Sequence, residues 1–439
     1  MNFLKFHPVK LLFLFSVSGF PKQLDPVPLI LTPYIESRQI EKARRLSYVQ
    51  DLKPWVPSYS GLITVDKKCN ANLWFWFFPS KRNPSWDPVT VWLNGGPGLS
   101  SAFGLFLENG PYIISSNGEL KLRKYTWTAY SSVLYVDNPV GTGFSFADMK
   151  KDCYRKNQTD VANNFITFLD QFFIMFPEYQ NNSLYLFGES YSGKYVTSIA
   201  YFMLRNGSKH KLEGLGIGNG IIDPRNQEMY ANNLFNLGLI DEYEMNEILK
   251  KERLIRNLID GKRFKEAFKV REDILRTHKT STGYNHWLNY LESGWGKLFQ
   301  VDFETLMNSN DMRVALHVGN ITRNKDLNDV VANEFMQSVR KWFEYVAERR
   351  RTLLYFGQMD LIVSSAGGAN FIRRMNWSGR KQFNMSPRKF WKVRGKLAGY
   401  IKSEGRLTEV MVRNAGHSVP ADQPLWAFTL YNNFIFNKF

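Results

Sequence analysis

Runs of β-branched and aromatic residues alternate with helical patterns along most of this 439-residue chain. The strand-like runs are GLITVD, NLWFWFFP, VTVWLNGG, SSVLYVDNP, SLYLFG, EGLGIGNG, TLLYFG and TEVMVRNAG. Helical patterns such as DVANNFITFLDQFFIMF and KYVTSIAYFML lie between them. The alternation favours a mostly parallel central sheet with helices on both faces, because parallel strands need crossover connections. We therefore predict an α/β fold.

One interval departs from this alternation. Between Asp223 and about Asp311 the sequence is charged and helical, with no convincing strand. We expect an inserted helical cap over the carboxyl edge of the sheet, where open α/β sheets bind ligands. A peripheral helical excursion is the alternative. The predicted units are a signal peptide at 1–19, an N-terminal arm at 20–59, the cap at 223–310, and a core made of 60–222 and 311–439.

The first residues have the layout of a secretory signal peptide. Two lysines flank the start of an apolar run from Leu11 to Val17 that is too short for a membrane anchor. A buried N-terminal helix is the alternative. Six Asn-x-Ser/Thr glycosylation acceptors also indicate export: Asn157, Asn181, Asn206, Asn320, Asn376 and Asn384. We predict a secreted or lysosomal protein without a membrane span.

The chain is strongly basic, with a formal net charge of +17. No nucleic-acid motif accompanies the charge, so nucleic acid is not an expected partner. The excess is local, since Arg340 to Arg406 holds 16 Lys and Arg against 4 Asp and Glu. This region is either a solvated basic face or a weak docking site for anionic surfaces such as sulfated glycans.

Only two cysteines are present, Cys69 and Cys153. They form either one bridge across a long loop or two buried thiols, and the sequence does not decide between these. Two thiols without a nearby histidine cluster do not make a tetrahedral metal site. We expect no metal.

The stretch from Gly188 to Gly193, GESYSG, places a serine between two glycines at a predicted strand-turn-helix junction. This is the context that a G-x-S-x-G nucleophile elbow requires. The glycines relieve clashes in the sharp turn and leave the Ser190 hydroxyl accessible. The helix that follows points amide dipoles at a developing oxyanion. The alternative is an ordinary glycine-rich turn with only a structural role.

A nucleophilic hydroxyl needs a base and an orienting carboxylate. Among six histidines, His417 follows the strand-like run TEVMVR, whereas the others lie in the signal, the cap or helical and loop sequence. Asp360 follows another run, TLLYFG. Ser190, Asp360 and His417 therefore occur in the order of the α/β-hydrolases. Together they predict acyl-transfer chemistry.

From about Ser60 to the C-terminus the sequence resembles the serine carboxypeptidases, and most closely their vitellogenic-like members. The motifs that carry the resemblance are VWLNGGPGLSS, ENGP, NPVGTGFSF, GESYSGKYV, IGNGIIDP, GQMDLIV and AGHSVPADQP. The resemblance implies an α/β-hydrolase fold with Ser190 as nucleophile, Asp360 as orienting acid and His417 as base. It assigns the oxyanion hole to the backbone amides of Gly96 and Tyr191. It also implies that the C-terminal carboxylate of the substrate is bound by Trp92, Asn94, Gly95, Glu108 and Glu189.

The residue types agree with these roles. Adjacent glycines at Gly95 and Gly96 let backbone amides approach a substrate closely. A glutamate beside a carboxylate site should repel its ligand, unless Glu189 shares a proton with a second acid such as Glu108. Three positions depart from the family pattern: Leu99 replaces a usual cysteine, Thr197 a common proline, and Ser418 the methionine of some relatives.

The sequence thus predicts a serine carboxypeptidase that removes C-terminal residues from peptides through an acyl-enzyme, with a preference for acid pH. Neither an organic cofactor nor a metal is implied, and no oligomeric state is predicted. Two alternatives stay open. One is a secreted binding protein of the same fold without turnover, and the other is an acyltransferase or esterase that uses the same triad.

Overall fold

The computed structural model describes residues 26–148, 153, 157–294, 302–323 and 333–439. The predicted signal peptide at 1–19 lies outside these ranges and stays a prediction. Within them, no helix is both long enough and apolar enough to cross a membrane.

The strands of the described residues are β1 Tyr59–Asp66, β2 Ala71–Phe78, β3 Val89–Leu93, β4 Tyr112–Ile114, β5 Leu120–Leu122, β6 Ser132–Val136, β7 Leu184–Glu189, β8 Leu212–Gly218, β9 Arg351–Gly357, β10 Lys389–Val393, β11 Lys396–Glu404 and β12 Leu407–Val412. Ten of them form one sheet in the order β1-β2-β6-β3-β7-β8-β9-β12-β11-β10. Neighbours from β6 through β12 pair in parallel, and the pairs toward both edges are antiparallel. Strands β4 and β5 form a small separate pair.

The helices of the described residues are α1 Thr32–Glu36, α2 Ile40–Ser47, α3 Ala102–Gly104, α4 Gln158–Met175, α5 Ser192–Arg205, α6 Pro224–Gln227, α7 Ala231–Asn236, α8 Glu242–Asp260, α9 Phe264–Thr282, α10 Phe303–Asn308, α11 Asn310–Ala315, α12 Arg340–Ala347, α13 Ser365–Arg374, α14 Arg380–Met385, α15 Val419–Asp422 and α16 Pro424–Ile435. A turn of π-helix, Leu105–Asn109, follows α3. Short 3₁₀ turns occur at Trp127–Ala129 and Pro177–Tyr179.

Strand β2 shows how the sheet is covered on both faces. All its residues are buried, and alternate side chains point to opposite faces. On one face, Phe75 and Phe77 contact Phe172 of α4, with ring centroids 5.9 and 5.0 Å apart. On the other face, Trp76 packs against Phe106 at 5.9 Å. Burial of a ring of this size contributes about 1.5 to 3 kcal/mol, so the sheet is stabilised from both sides.

The predicted fold class is confirmed: the chain has the α/β-hydrolase architecture. Each strand-like run of the sequence corresponds to a strand. The sequence did not predict β4, β5, β10 and β11, because the first two have three residues each and the last two are rich in charge. Within the described part of 223–310 the regular elements are helices. The unit boundaries and the role of this interval as a cap stay predictions.

Cys69 and Cys153 form a disulfide. Of the two options that the sequence left open, the structure has the bridge. It connects the turn between β1 and β2 to the chain that precedes α4, and the two cysteines are 84 positions apart in sequence.

Replacing both cysteines by serine is expected to lower the thermal midpoint. A cross-link over so long a loop restricts the unfolded chain, which stabilises the folded state by up to about 4 to 5 kcal/mol. For a chain of this length that corresponds to a loss of about 5 °C in Tm. Thermal unfolding with and without a reductant measures it: the reductant should lower the Tm of the wild type and leave that of the double variant unchanged. Equal midpoints for both proteins would contradict a stabilising bridge.

Candidate active site

Ser190 lies on the turn between β7 and α5. Its φ is +62°, in the left-handed region that residues with a side chain rarely adopt. Backbone hydrogen bonds hold it there: Ser190 N donates to Gly218 O, and Ser190 O accepts from Gly193 N and Ile221 N, each at 3.0 Å. The side chain is half-buried at the carboxyl end of the strand. The predicted elbow therefore has the expected strand-turn-helix geometry.

The two outer glycines of the motif are required because neither position has room for a side chain. A Cβ on Gly188 would lie 2.2 Å from Ser192 Oγ, and a Cβ on Gly193 would lie 2.8 Å from Ile221 O. Both distances are shorter than van der Waals contact. Any larger residue would displace the turn that presents Ser190.

Asp360 and His417 lie in the loops after β9 and β12. His417 Nδ1 is 2.7 Å from Asp360 Oδ2. Asp360 Oδ2 also accepts from Asn219 Nδ2 at 2.5 Å, while Oδ1 accepts from Ile362 N and Val363 N at 2.8 and 3.2 Å. Because an ionised carboxylate only accepts hydrogen bonds, His417 carries its proton on Nδ1. The other ring nitrogen, Nε2, is thus left able to accept one.

A hydrogen bond joins the elbow to the histidine loop. Ser418 Oγ donates to Glu189 Oε1 at 3.1 Å, and these two residues are the chain neighbours of His417 and Ser190. Strands β7, β9 and β12 end at the same edge of the parallel sheet. The three residues predicted as a triad therefore lie at one edge of the sheet, on loops that contact one another.

The acids Glu108 and Glu189 form a buried pair. Each carboxyl group influences the pKa of the other, and the Oε2 atom of each is buried without a hydrogen-bond partner among the described residues. Asn94 Nδ2 donates to Glu108 Oε1 at 2.9 Å, and Trp92 Nε1 donates to Asn94 Oδ1 at 2.8 Å. The structure thus connects four residues that the resemblance assigns to carboxylate binding.

A contact between two carboxyl groups is favourable only when a proton lies between them. Burial raises the pKa of Glu108 above its ordinary value. Burial also raises the pKa of Glu189 well above its ordinary value, and the negative charges of Glu108 and Asp360 raise it further. The pair therefore keeps one proton at a pH where an exposed glutamate would have lost it.

The glycine pair after β3 lies directly against the elbow. A Cβ on Gly95 would be 2.5 Å from Tyr191 N and 2.8 Å from Ser190 Cβ. Gly96 follows with a φ of +99°, which favours glycine. The backbone amide of Tyr191 precedes the first residue of α5. The residues predicted for the oxyanion hole, Gly96 and Tyr191, are thus on adjoining loops beside Ser190.

Two supporting residues were missed at the sequence level. Asn219, within the motif IGNGIIDP, has a φ of +43° and holds Asp360 through the bond described above. Asp137 accepts from Ser100 Oγ at 2.6 Å and from Ser101 N and Phe144 N at 2.9 Å each. Burial raises the pKa of Asp137 to about 6. Asn219 lies inside a motif and Asp137 directly precedes the motif NPVGTGFSF, which was the only sequence signal for them.

The remaining predicted sites are on the surface. All six glycosylation acceptors have exposed asparagine side chains: Asn157, Asn181, Asn206, Asn320, Asn376 and Asn384. Across the described ranges, no group of three or more His, Cys, Asp or Glu residues is arranged to hold a metal ion.

Comparison with known proteins agrees with this geometry. A family model for serine carboxypeptidases matches residues 50–437. The venom serine carboxypeptidase of Apis mellifera is 40% identical over 94% of this chain and 91% of its own length. The probable serine carboxypeptidase CPVL of Homo sapiens is 39% identical over 96% and 92%. The vitellogenic carboxypeptidase of Aedes aegypti is 37% identical over 93% and 89%.

Among solved structures, the prohormone-processing carboxypeptidase Kex1 of Saccharomyces cerevisiae has a TM-score of 0.78 at 24% identity and covers 90% of this chain and 96% of its own. This likeness supports the fold. The family model and the three relatives carry the assignment, because each covers most of the chain at the level of sequence. The chain belongs to the serine carboxypeptidase family, and it is a serine carboxypeptidase.

Proposed function

We propose that this enzyme removes single residues from the C-termini of peptides through an acyl-enzyme on Ser190. The observation that carries the proposal is the buried pair of acids immediately beside the elbow, Glu108 and Glu189, since Glu189 directly precedes Ser190. A group that binds a terminal carboxylate next to the nucleophile restricts cleavage to the last peptide bond of a substrate.

The proposed chemical step gives each of the three residues one role. Ser190 Oγ attacks the last peptide carbonyl and transfers its proton to His417 Nε2, while Asp360 holds the imidazole by its Nδ1 proton. The amides of Gly96 and Tyr191 donate to the oxyanion that forms. His417 then gives the proton to the leaving amine. A water molecule, activated by the same base, hydrolyses the ester on Ser190 and restores the free enzyme.

The acid pair binds the end of the substrate when it carries a proton. When a peptide acid binds, Glu189 turns the proton that it shares with Glu108 toward the terminal carboxylate and donates it in a hydrogen bond. The amide of Asn94 then donates to Glu108, and the indole of Trp92 holds Asn94 in place. Without the shared proton, two buried negative charges would repel the ligand. Binding of a peptide acid therefore requires the protonated pair.

The surface features support passage through the secretory pathway. The exposed asparagines of the six acceptors are accessible for glycosylation, and the predicted signal peptide precedes the described residues. The relatives include a venom protein and a vitellogenic protein. We propose a glycosylated enzyme that is secreted or delivered to lysosomes.

The basic region includes a distinct cationic hairpin, β10 to β11. Arg388, Lys389, Lys392, Arg394 and Lys396 are exposed there, and none of them forms an ion pair with another described residue. Unpaired cations at this spacing complement the repeated sulfates of a glycan chain. We propose that this hairpin binds sulfated polysaccharides weakly.

Changing Ser190 to Ala is expected to lower kcat for a free-acid peptide by at least about 10⁴-fold while leaving the thermal midpoint unchanged. Ser192→Ala is the matched control, because Ser192 Oγ is buried without a hydrogen-bond partner among the described residues. Mass spectrometry of the peptide products measures the activity of both variants. Activity of Ser190→Ala within about tenfold of the control would exclude Ser190 as nucleophile, and no turnover by the wild type would favour a silent binding protein.

For a free-acid peptide, KM is expected to rise from acid to neutral pH. The pKa of Glu189 is raised by burial and by Glu108, so the donating proton is present below that pKa and is lost as pH rises through it. Losing one charge-assisted bond weakens binding by about 1.5 to 3 kcal/mol, which is tenfold or more. The matched amidated peptide should show no such rise, and Glu189→Gln should flatten the profile of the peptide acid. Parallel KM profiles for the two peptides would rule out the shared proton.

Replacing Lys389, Lys392 and Lys396 together by glutamate is expected to abolish retention on heparin at moderate salt. The control carries the same charge change on other exposed lysines, Lys121, Lys262 and Lys265. Salt-gradient elution compares the two proteins. If both elute earlier by the same amount, net charge alone explains binding and the hairpin is not a site.

A further inference from the structure

A short segment after α9, Trp287 to Tyr290, lies against both loops that carry the acid and the base. His417 N donates to Leu288 O at 2.7 Å. Leu361 N donates to Trp287 O at 3.1 Å, and Tyr290 N donates to Met359 O at 3.0 Å. These three main-chain bonds bracket Asp360 and include His417 itself. We call Trp287 to Tyr290 the bridging segment.

The bridging segment also fits closely beside Gly416. A Cβ on Gly416 would lie 2.2 Å from Leu288 O and 2.7 Å from Asn289 Cβ. Asn289 Nδ2 donates to Asp422 Oδ2 at 3.1 Å, and Gly416 N donates to the same oxygen at 2.6 Å. The segment and the histidine loop are therefore held by the same carboxylate oxygen.

Trp287 anchors the bridging segment to the helical interval. Its ring stacks on His278 of α9 with centroids 3.6 Å apart, and its Nε1 donates to Leu275 O at 3.1 Å. The same ring meets Tyr230 edge-on at 5.5 Å. Burial, with a smaller effect of His286, lowers the pKa of His278 to about 4. Above that pH the stacking partner is a neutral ring.

From these contacts we propose that Trp287 is a positioning residue for catalysis: through the bridging segment it fixes the loops of Asp360 and His417 in the geometry needed for proton transfer. The inference deepens the function proposed above and rests on the triad roles given there. In this proposal α9 supports the loops of Asp360 and His417 through Trp287, in addition to its predicted place in the cap.

The effect should appear mainly in kcat. Misplacing a general base by about 1 Å costs roughly 100-fold in rate. The terminal carboxylate, in contrast, is bound by Glu108 and Glu189, and among the described residues a single side-chain hydrogen bond, from Ser418 to Glu189, joins this pair to the histidine loop. Loosening the bridging segment therefore disturbs the base more than the acid pair.

The test compares Trp287→Ala, Trp287→Phe and Asn289→Ala with Leu291→Ala as control, whose side chain is 65% exposed one residue beyond the segment. For Trp287→Ala we expect kcat to fall about 10- to 100-fold, with KM for a peptide acid within about threefold of wild type. Trp287→Phe keeps an aromatic ring on His278 and should recover part of the loss. Asn289→Ala should lower kcat by a smaller factor, and Leu291→Ala should leave it unchanged.

A second readout separates this inference from the function on which it rests. The rate at which a fluorophosphonate labels Ser190 depends on the base and not on a peptide carboxylate, so it should fall in parallel with kcat in folded Trp287→Ala. If that variant does not fold, Trp287→Phe and Asn289→Ala carry the test. Unchanged kcat and labelling rates in the folded variants would overturn the positioning role. A lower thermal midpoint with unchanged kcat and labelling would overturn it as well. Failure of the triad itself would be seen separately, as retained activity in Ser190→Ala.

Discussion

Ser190 can occupy the apex of its turn only because its backbone is held at a positive φ. Strain of this kind persists where surrounding structure over-determines it. Here the surrounding structure is the end of β8 and the start of α5, which supply three hydrogen bonds to one residue. In the same turn there is no room for a side chain at Gly188 or Gly193, and the loop of Gly95 packs directly against it. The conformation that exposes the hydroxyl therefore also brings the loop of Gly95 beside Tyr191 N, where we propose the oxyanion hole.

Asp360 and the acid pair of Glu108 and Glu189 are electrostatically linked. Asp360 must be ionised to hold His417 by its Nδ1 proton, and its negative charge contributes to the raised pKa of Glu189. Keeping the triad competent therefore also favours the protonated acid pair. Ser418 acts in the opposite direction, because its hydrogen bond to Glu189 lowers the pKa of that carboxyl. Ser418 and Asp360 therefore shift the pKa of Glu189 in opposite directions.

The sequence predicted the sheet, the elbow and the proposed site residues, because each depends on local pattern or on contiguous motifs. It could not predict what depends on contacts between distant segments. The bond of Asn219 to Asp360, the docking of Leu288 on His417 and the pairing of Cys69 with Cys153 are of this kind. The hairpin β10 to β11 was missed for another reason. It is an exposed edge whose charged residues mask the alternation on which strand prediction depends.

The loop after β3, which contains Leu99, is held by hydrogen bonds to a buried carboxylate. Asp137, buried at the end of β6, accepts three hydrogen bonds from that loop and from the loop of Phe144. A carboxylate that accepts several donors at once stabilises their geometry as long as it stays buried and satisfied. The Gly95 turn is closed further by Leu99 N, which donates to Gly95 O at 3.1 Å. A set of hydrogen bonds centred on Asp137 therefore holds the loop that faces the elbow.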